Sequence, residues 1–544
     1  MGINCPSCGG KMVFDIAEQQ LKCEFCGSRL SIQKYKSNNE GEQQQMTYDT
    51  VVYTCRNCGA ELTAPDEQAV AYCSYCGSEQ MLTAKHEQTL RPKNIIPFKK
   101  TKEQAMEQYA KALKGKFYVP KEFKDPNFLE GFRGIYLPYF SYNALVADRQ
   151  VQMEGTASYT SGGYDYTETY QVDAHLGGHS SDVNFDASSA FDDTLANEIA
   201  PFNAKDMKEF HEGYLAGLYA DKATTDERTY IQQATELAVD SVYKEINRKI
   251  GKAKLKEEKE PEMRKAQVGI SAVDCEVSYF PVWFLTWRHK KRVAYSVMNG
   301  QTGKIAVDIP VNKTTFFLIS LAVAVVLFAA LCFLPMFILP KTISSIAAII
   351  LVISSILLRN EIKKIFVREN HIYDYGDTQH KAKKKVTKAK ESTAYIAAND
   401  KPVKKRSLGL IAIIIPAVYV FFYILFAAFN GGFLQTLFSG GSGSAVFFIA
   451  MLIQLIFSVL TIIHAVRIEK KSAIIPAIIA PAVLAFGIYA HMLNSPYDYW
   501  YYGAALACLV AVIINCLSCI NYFNYLTTRP VPNFFRREGA NNAK

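Results

Sequence analysis

The chain has 544 residues, 49% of them apolar, with 60 Lys+Arg against 51 Asp+Glu. That is too long for one domain. Its positive balance is uneven: residues 314–544 carry 22 Lys+Arg and 9 Asp+Glu, leaving 38 and 42 in residues 1–313. The first part is thus weakly acidic, which argues against the basic footprint of a nucleic-acid binder.

The chain begins Met1-Gly2-Ile3-Asn4-Cys5 without a charged-then-apolar pattern, so no cleaved signal peptide is expected. Eight cysteines follow. Cys5, Cys8, Cys23 and Cys26, then Cys55, Cys58, Cys73 and Cys76, form two copies of C-x2-C-x14-C-x2-C, fifty residues apart. Each C-x2-C runs into a glycine, Gly9, Gly27, Gly59 or Gly77, which tolerates the backbone angles of a tight turn around a metal. Four thiolates so arranged suit tetrahedral zinc, and the duplication argues against a disulfide framework. The sites are closed, so the two expected zinc ions are structural. Metal binding then supplies about 10 kcal/mol or more of folding energy per site. Thiolates also need a reducing compartment, which places this end of the chain in the cytosol.

In chain order, zinc ribbon 1 is expected over 1–32, a polar linker over 33–50 and zinc ribbon 2 over 51–83. An α+β domain follows over 95–312. Within it, Thr101-Lys-Glu-Gln104 reads as a capping box opening a helix to about Leu113. Aromatic and alternating residues from Gly134 to Val172 read as strands, residues 173–200 as irregular, and 205–220 and 224–259 as helices. A hairpin is expected from Arg292 to Asp308 around Asn299-Gly-Gln-Thr-Gly303. Tyr136-Leu-Pro138-Tyr-Phe140 and Tyr279-Phe-Pro281-Val-Trp283 share a form. It marks either an internal duplication or, the favoured reading, two edge strands that tolerate proline.

The remainder reads as an all-α polytopic membrane domain of about six spans: 316–339, 343–358, 408–429, 445–466, 473–493 and 502–526. These give a transmembrane hairpin over 314–358, a basic cytosolic loop over 359–407, four spans over 408–526 and a cytosolic tail over 527–544. The second run is short, and a re-entrant hairpin is the alternative there. With the amino terminus inside, the inside segments carry 14, 3 and 4 Lys+Arg and the outside loops 1, 0 and 0. That asymmetry places both termini in the cytosol, on a cytoplasmic membrane. The spans contain no Asp, Glu, Lys or Arg; Gln454, His464, His491 and Asn515 are their notable polar residues. Both histidines lie near span ends and read as interfacial.

No G-x-x-x-x-G-K-[ST], G-x-S-x-G or H-E-x-x-H occurs. Asp173, His175, His179 and Asp182 form a His cluster, read as surface residues rather than metal ligands. Lys381, Lys383, Lys384, Lys385, Lys388 and Lys390 form a basic run. It is either a contact for anionic lipid headgroups or an ordinary topology signal.

The paired four-cysteine knuckles, Ile96-Pro97-Phe98, Gly134-Ile-Tyr136-Leu-Pro138-Tyr-Phe140, Tyr214-Leu-Ala-Gly217, Tyr279-Phe-Pro281-Val-Trp283 and Met298-Asn-Gly300-Gln-Thr-Gly303-Lys304 occur in this order. Over about residues 1–313 the chain resembles the bacterial TFIIB-type double-zinc-ribbon membrane proteins. These are often labelled relatives of a replication-restart helicase, although no ATPase motif stands here. The resemblance implies PspA-like or flotillin-like SPFH partners and docking in envelope stress. The expected function is a non-enzymatic membrane scaffold that recruits cytosolic proteins. The alternatives are a nucleic-acid-binding membrane protein using its ribbons, and a transporter or channel with a zinc-ribbon regulatory domain.

Overall fold

The structure, a computed structural model, describes residues 3–37, 46–65, 73–79, 83–188, 190–251, 254–256, 260–332, 340–369, 442–467, 471–532 and 534. The span expected at 408–429, the basic run 381–390, the middle of the linker and the tail beyond 534 lie outside them. The architecture is two four-cysteine clusters, a central α/β sheet domain and a carboxy-terminal set of long apolar helices.

The first ribbon keeps its own antiparallel sheet of β1 (Met12–Asp15), β2 (Gln20–Cys23) and β3 (Arg29–Leu30). A short helix, Ile32–Ser37, occupies the start of the expected linker. The second ribbon is absorbed into a thirteen-stranded sheet. That sheet takes in β4 (Thr47–Thr54), β5 (Glu61–Ala64), β6 (Thr83–Leu90), β7 (Asn94–Ile95), β8 (Arg133–Ser161), β9 (Tyr164–Asp186), β10 (Lys208–Glu209), β11 (Tyr219–Ala220), β12 (Lys254–Leu255), β13 (Ile270–His289), β14 (Arg292–Asn299), β15 (Ile305–Val307) and β16 (Arg529–Pro530). Its main path runs β10-β7-β13-β8-β11-β5-β4-β6.

The two proline motifs meet at the centre. Strands β8 and β13 pair antiparallel with Leu137 opposite Phe280, Tyr136 opposite Pro281 and Pro138 opposite Tyr279. Neither is an edge strand, which corrects the favoured sequence reading. Each also has a short parallel neighbour at the same place: Ile95 aligns with Tyr279, and Ala220 with Tyr136. The next residues repeat the relation, since Ile96 N–H donates to Tyr279 O and Asp221 N–H to Tyr136 O, both at 2.9 Å. This local two-fold arrangement favours the duplication alternative. Both faces of the pair are covered. One face buries Ile135, Leu137, Phe280, Val282 and Phe284 against the second ribbon, and the other buries Tyr136, Tyr279, Trp283 and Leu285 against the first. Two-sided burial is why these strands read as continuous apolar runs.

Helix α1 (Lys102–Leu113) starts at the expected capping box: Thr101 Oγ1 accepts from Gln104 N–H at 3.4 Å, and Gln104 Oε1 accepts from Thr101 N–H at 3.2 Å. The 292–308 hairpin forms as β14–β15. Residues 173–186 are not irregular but continue β9, and 205–220 is not a helix but short 3-10 turns with β10 and β11. Gly213 and Gly217, the latter at φ +80°, interrupt that segment's apolar spacing. In the second expected helix, α2 (Ile231–Ile250) ends at Gly251 with φ +73°.

Among the described residues, the apolar helices are α3 (Lys313–Cys332), α4 (Pro340–Glu369), α5 (Ser442–Arg467), α6 (Ile474–Met492) and α7 (Tyr499–Leu526). Four of them, α4 to α7, are long and apolar enough to cross a membrane. Helix α4 is continuous over 30 residues, about 45 Å, so the short run 343–358 is the apolar part of a longer helix. Polar residues bind the bundle internally. His491, near the end of α6, is buried between helices, 1% exposed, with Nε2 at 2.9 Å from Ser344 Oγ near the start of α4; Asn515 Nδ2 donates to Ser354 and Ser355 Oγ at 2.9 Å. His464 Nδ1 lies 2.7 Å from Leu460 O.

The ends of α4 and α7 meet the sheet domain together. Arg292 of β14 and Arg368 of α4 both donate to Tyr525 O, at 2.8 and 3.0 Å, and Arg368 also to Leu526 O at 2.5 Å. Their guanidiniums lie 4.1 and 5.2 Å from the centre of the Tyr525 ring. Two cations thus satisfy the last carbonyls of α7 and sit at the negative end of its dipole.

Candidate metal centres

All four C-x2-C-Gly turns share one backbone geometry. The N–H of the glycine donates to the carbonyl of the first cysteine at 2.8–3.1 Å, and that cysteine's N–H donates to the residue after the glycine at 2.7–2.9 Å. Gly9, Gly27, Gly59 and Gly77 have φ of 72°, 72°, 76° and 62°. A side chain at any of them would strain the turn.

The turns bring the eight predicted cysteines together in their two predicted sets, with all four sulfurs of a set within 4.8 Å of one another. Cys5–Cys26 and Cys8–Cys23 Sγ distances are 3.7 and 3.5 Å; Cys55–Cys76 and Cys58–Cys73 are both 3.7 Å. A disulfide needs about 2.05 Å. A tetrahedron of thiolates with metal–sulfur bonds of about 2.3 Å has edges of about 3.8 Å, so the donor sets fit metal ions.

The two centres differ in burial. In the first, Cys8 and Cys26 are exposed, and Phe25 between Cys23 and Cys26 is 89% exposed. Ser28 Oγ lies 3.0 Å from both Cys5 and Cys26 sulfurs. In the second, all four cysteines are fully buried. Its second knuckle is gripped from the sheet: Thr286 donates to Ser74 O, Tyr295 OH to Tyr75 O at 2.6 Å, and Arg288 to Cys76 O at 3.4 Å. Tyr75 OH donates to Asp221 Oδ2 at 2.6 Å, and Ser188 donates to the same oxygen at 2.5 Å. Burial pushes the Asp221 carboxyl up despite these bonds.

The first knuckle of this centre is closed from the far end of the chain. Phe534 N–H donates to Cys58 O at 2.6 Å, and its ring lies 5.8 Å from that of Tyr75. The tail reaches there as β16, which pairs with β14. Arg529 is fixed by Asp192 at 3.0 Å and by Asp308. Burial opposes ionisation of Asp192, but Arg529 holds its carboxyl below the ordinary value; burial pushes Asp308 up. The sequence carried no signal for this contact beyond an aromatic pair, Phe534-Phe535, in a polar tail.

Of the predicted His cluster, Asp173, His175 and His179 are spread along β9, and His175 pairs with Asp148 at 3.1 Å on the surface. Among the described residues, only the two cysteine sets gather three or more candidate ligands. A surface that the sequence did not single out is the outer end of the β8–β9 hairpin. Beyond the β12 contact at Gly155 and Thr156, it continues as a two-stranded ribbon with no further strand neighbour among the described residues, turning at Gly162-Gly163. One face presents Tyr159, Tyr164, Tyr166 and Tyr170, 42–71% exposed, with Tyr159 stacked on Tyr166 at 5.4 Å.

These features define a multi-pass membrane protein with two four-cysteine metal-binding centres on a sheet domain. The chain is 26% identical over 328 residues to the uncharacterized protein YdjG of Bacillus subtilis (strain 168), covering 57% of this chain and 90% of that relative. No family model and no solved structure matches it.

Proposed function

We propose that the chain is a non-enzymatic integral membrane scaffold that recruits cytosolic proteins to the inner face of the cytoplasmic membrane. Its two metals are structural zinc ions, for which four thiolates and the sulfur spacing are suited. The positive-inside loops support cytosolic termini. The observation that carries the recruiting role is the tyrosine face of the hairpin, which extends about 20 Å past its last strand neighbour. Tyrosine offers large contact area at small entropy cost and is enriched at protein interfaces. Partners of the PspA-like or SPFH-like kind suit the resemblance.

The test compares full-length protein, gently solubilised, with a variant carrying Tyr159, Tyr164, Tyr166 and Tyr170→Ser. The variant should keep its metal content and melting temperature and lose specific proteins that the parent retains. An identical set of co-purifying proteins would overturn the recruiting role. A reporter active only outside the cytosol, fused after Lys544, should be silent.

A further inference from the structure

A groove of about 520 Å³ lies where the end of α1 meets the loop 114–124. Its floor is apolar, built from Tyr109, Leu113, Phe123 and Leu129. Its rim is basic, carrying Lys111, Lys114, Lys116 and Lys124. Glu107 also lines it but is paired with Lys111 at 2.8 Å. Among the described residues, Lys114, Lys116 and Lys124 form no ion pair, and all three are exposed. Phe117, 72% exposed, stands beside them.

The groove's position gives this combination a meaning. Asn312 N–H donates to Tyr118 O at 2.7 Å, and the Tyr118 ring lies 5.0 Å from that of Phe316, in the first turn of α3. Phe317 beside it is 56% exposed. The basic loop is therefore tied to the point where the chain enters its first apolar helix. Lysines flanking an exposed aromatic ring, beside an apolar trough at the start of an apolar helix, match a molecule with a phosphate at one end and hydrocarbon at the other.

We propose that this groove binds one anionic phospholipid, with the headgroup phosphate on Lys114, Lys116 and Lys124 and the upper part of an acyl chain on the apolar floor. The rest of the lipid stays in the bilayer. The site is separate from the metal centres and from the tyrosine face, and its occupancy does not depend on any protein partner.

The full-length protein would be placed in phosphatidylcholine nanodiscs with a trace of photoreactive phosphatidylglycerol or, in parallel, photoreactive phosphatidylcholine. After irradiation, adducts are mapped by mass spectrometry. Adducts should fall within residues 107–129 and be about ten-fold or more abundant with phosphatidylglycerol. The variant K114Q/K116Q/K124Q should lose them about ten-fold while keeping the parent's melting temperature, since these side chains hold nothing in the fold. Excess inorganic phosphate should leave the yield unchanged. Adducts absent from 107–129, equal for the two lipids, or unmoved by the triple substitution would overturn the proposal. Displacement by inorganic phosphate would overturn it as well, by making the groove a small-anion site.

Discussion

Asn524 and Val311 bond each other reciprocally: Val311 N–H donates to Asn524 Oδ1 at 2.7 Å, and Asn524 Nδ2 donates to Val311 O at 2.8 Å. A side-chain amide near the end of α7 thus completes the backbone of the segment leading into α3, two residues before that helix begins. First and last described helices of the membrane half are fixed at one point.

Asn524→Ala leaves a partly buried N–H and carbonyl without partners. Removing such a pair costs about 1–3 kcal/mol. The solubilised protein should unfold at lower temperature than the parent, whereas Asn521→Ala, at an exposed position on the same helix, should not. Equal melting of the two variants would show that the clamp contributes nothing.

Arg529 lies between Asp192 and Asp308 and is itself little exposed. Arg529→Met leaves two half-buried carboxylates facing each other without their cation, a loss of about 3 kcal/mol, at the low end of the range for breaking a buried pair because both acids keep some solvent contact. In the parent, the part of stability due to the depressed Asp192 is present above 3.8 and is lost as the pH falls through its lowered value. In the variant, Thr194 N–H still favours the Asp192 carboxylate, but desolvation is the larger influence on both acids and nothing replaces Arg529, so both carboxyls should rise and protonation should relieve the defect. The gap between parent and variant, read from denaturation midpoints, should be wider at pH 7.5 than at pH 5.

The metal centres should exchange at different rates. Cys8 and Cys26 of the first are open to solvent, while the second is covered by the sheet and by Phe534. With a chelator in excess, one equivalent of metal should leave at least ten-fold faster than the other, a barrier difference of about 1.4 kcal/mol or more. The double variant C5S/C8S should abolish the fast phase and spare the slow one. Release of both equivalents at one rate would refute this ordering.

Gly487 lets α6 approach α5. A Cβ there would lie 2.0 Å from Phe447 Cε1. Small residues permit such close packing between membrane helices. Gly487→Ala should therefore cost about 1–3 kcal/mol through overpacking, lowering the melting temperature, and Phe447→Leu on the same chain should recover part of the loss. An undiminished melting temperature for Gly487→Ala would count against this helix contact.

The cysteine sets were legible because a metal turn needs its ligands and glycine within five consecutive residues, and so were the Thr101–Gln104 cap and the 292–308 hairpin. Features built from distant segments were not. Leu137 and Phe280 read as parts of two edge strands because nothing near either reveals the other as its partner. The stretch around Tyr214 carried helical apolar spacing, yet its glycines and its contacts with the first ribbon made it a turn. Arg359 and the charges after it ended the apolar run at 358, whereas the backbone of α4 runs on to Glu369 because a helix does not stop where a bilayer does. The contrast between an open and an enclosed metal centre was also hidden, since both have the same spacing and differ only in what the rest of the chain lays over them.

The bond from Phe534 to Cys58 joins two residues 476 positions apart in the chain. A ribosome adding about 5–20 residues per second needs on the order of half a minute or more between the two. Throughout that interval the second knuckle pair stands without its cover while the intervening helices are threaded into the bilayer. The tail that closes it emerges only after α7 has been made. Closure of this centre by Phe534 therefore cannot precede synthesis of every described helix that lies between the two residues.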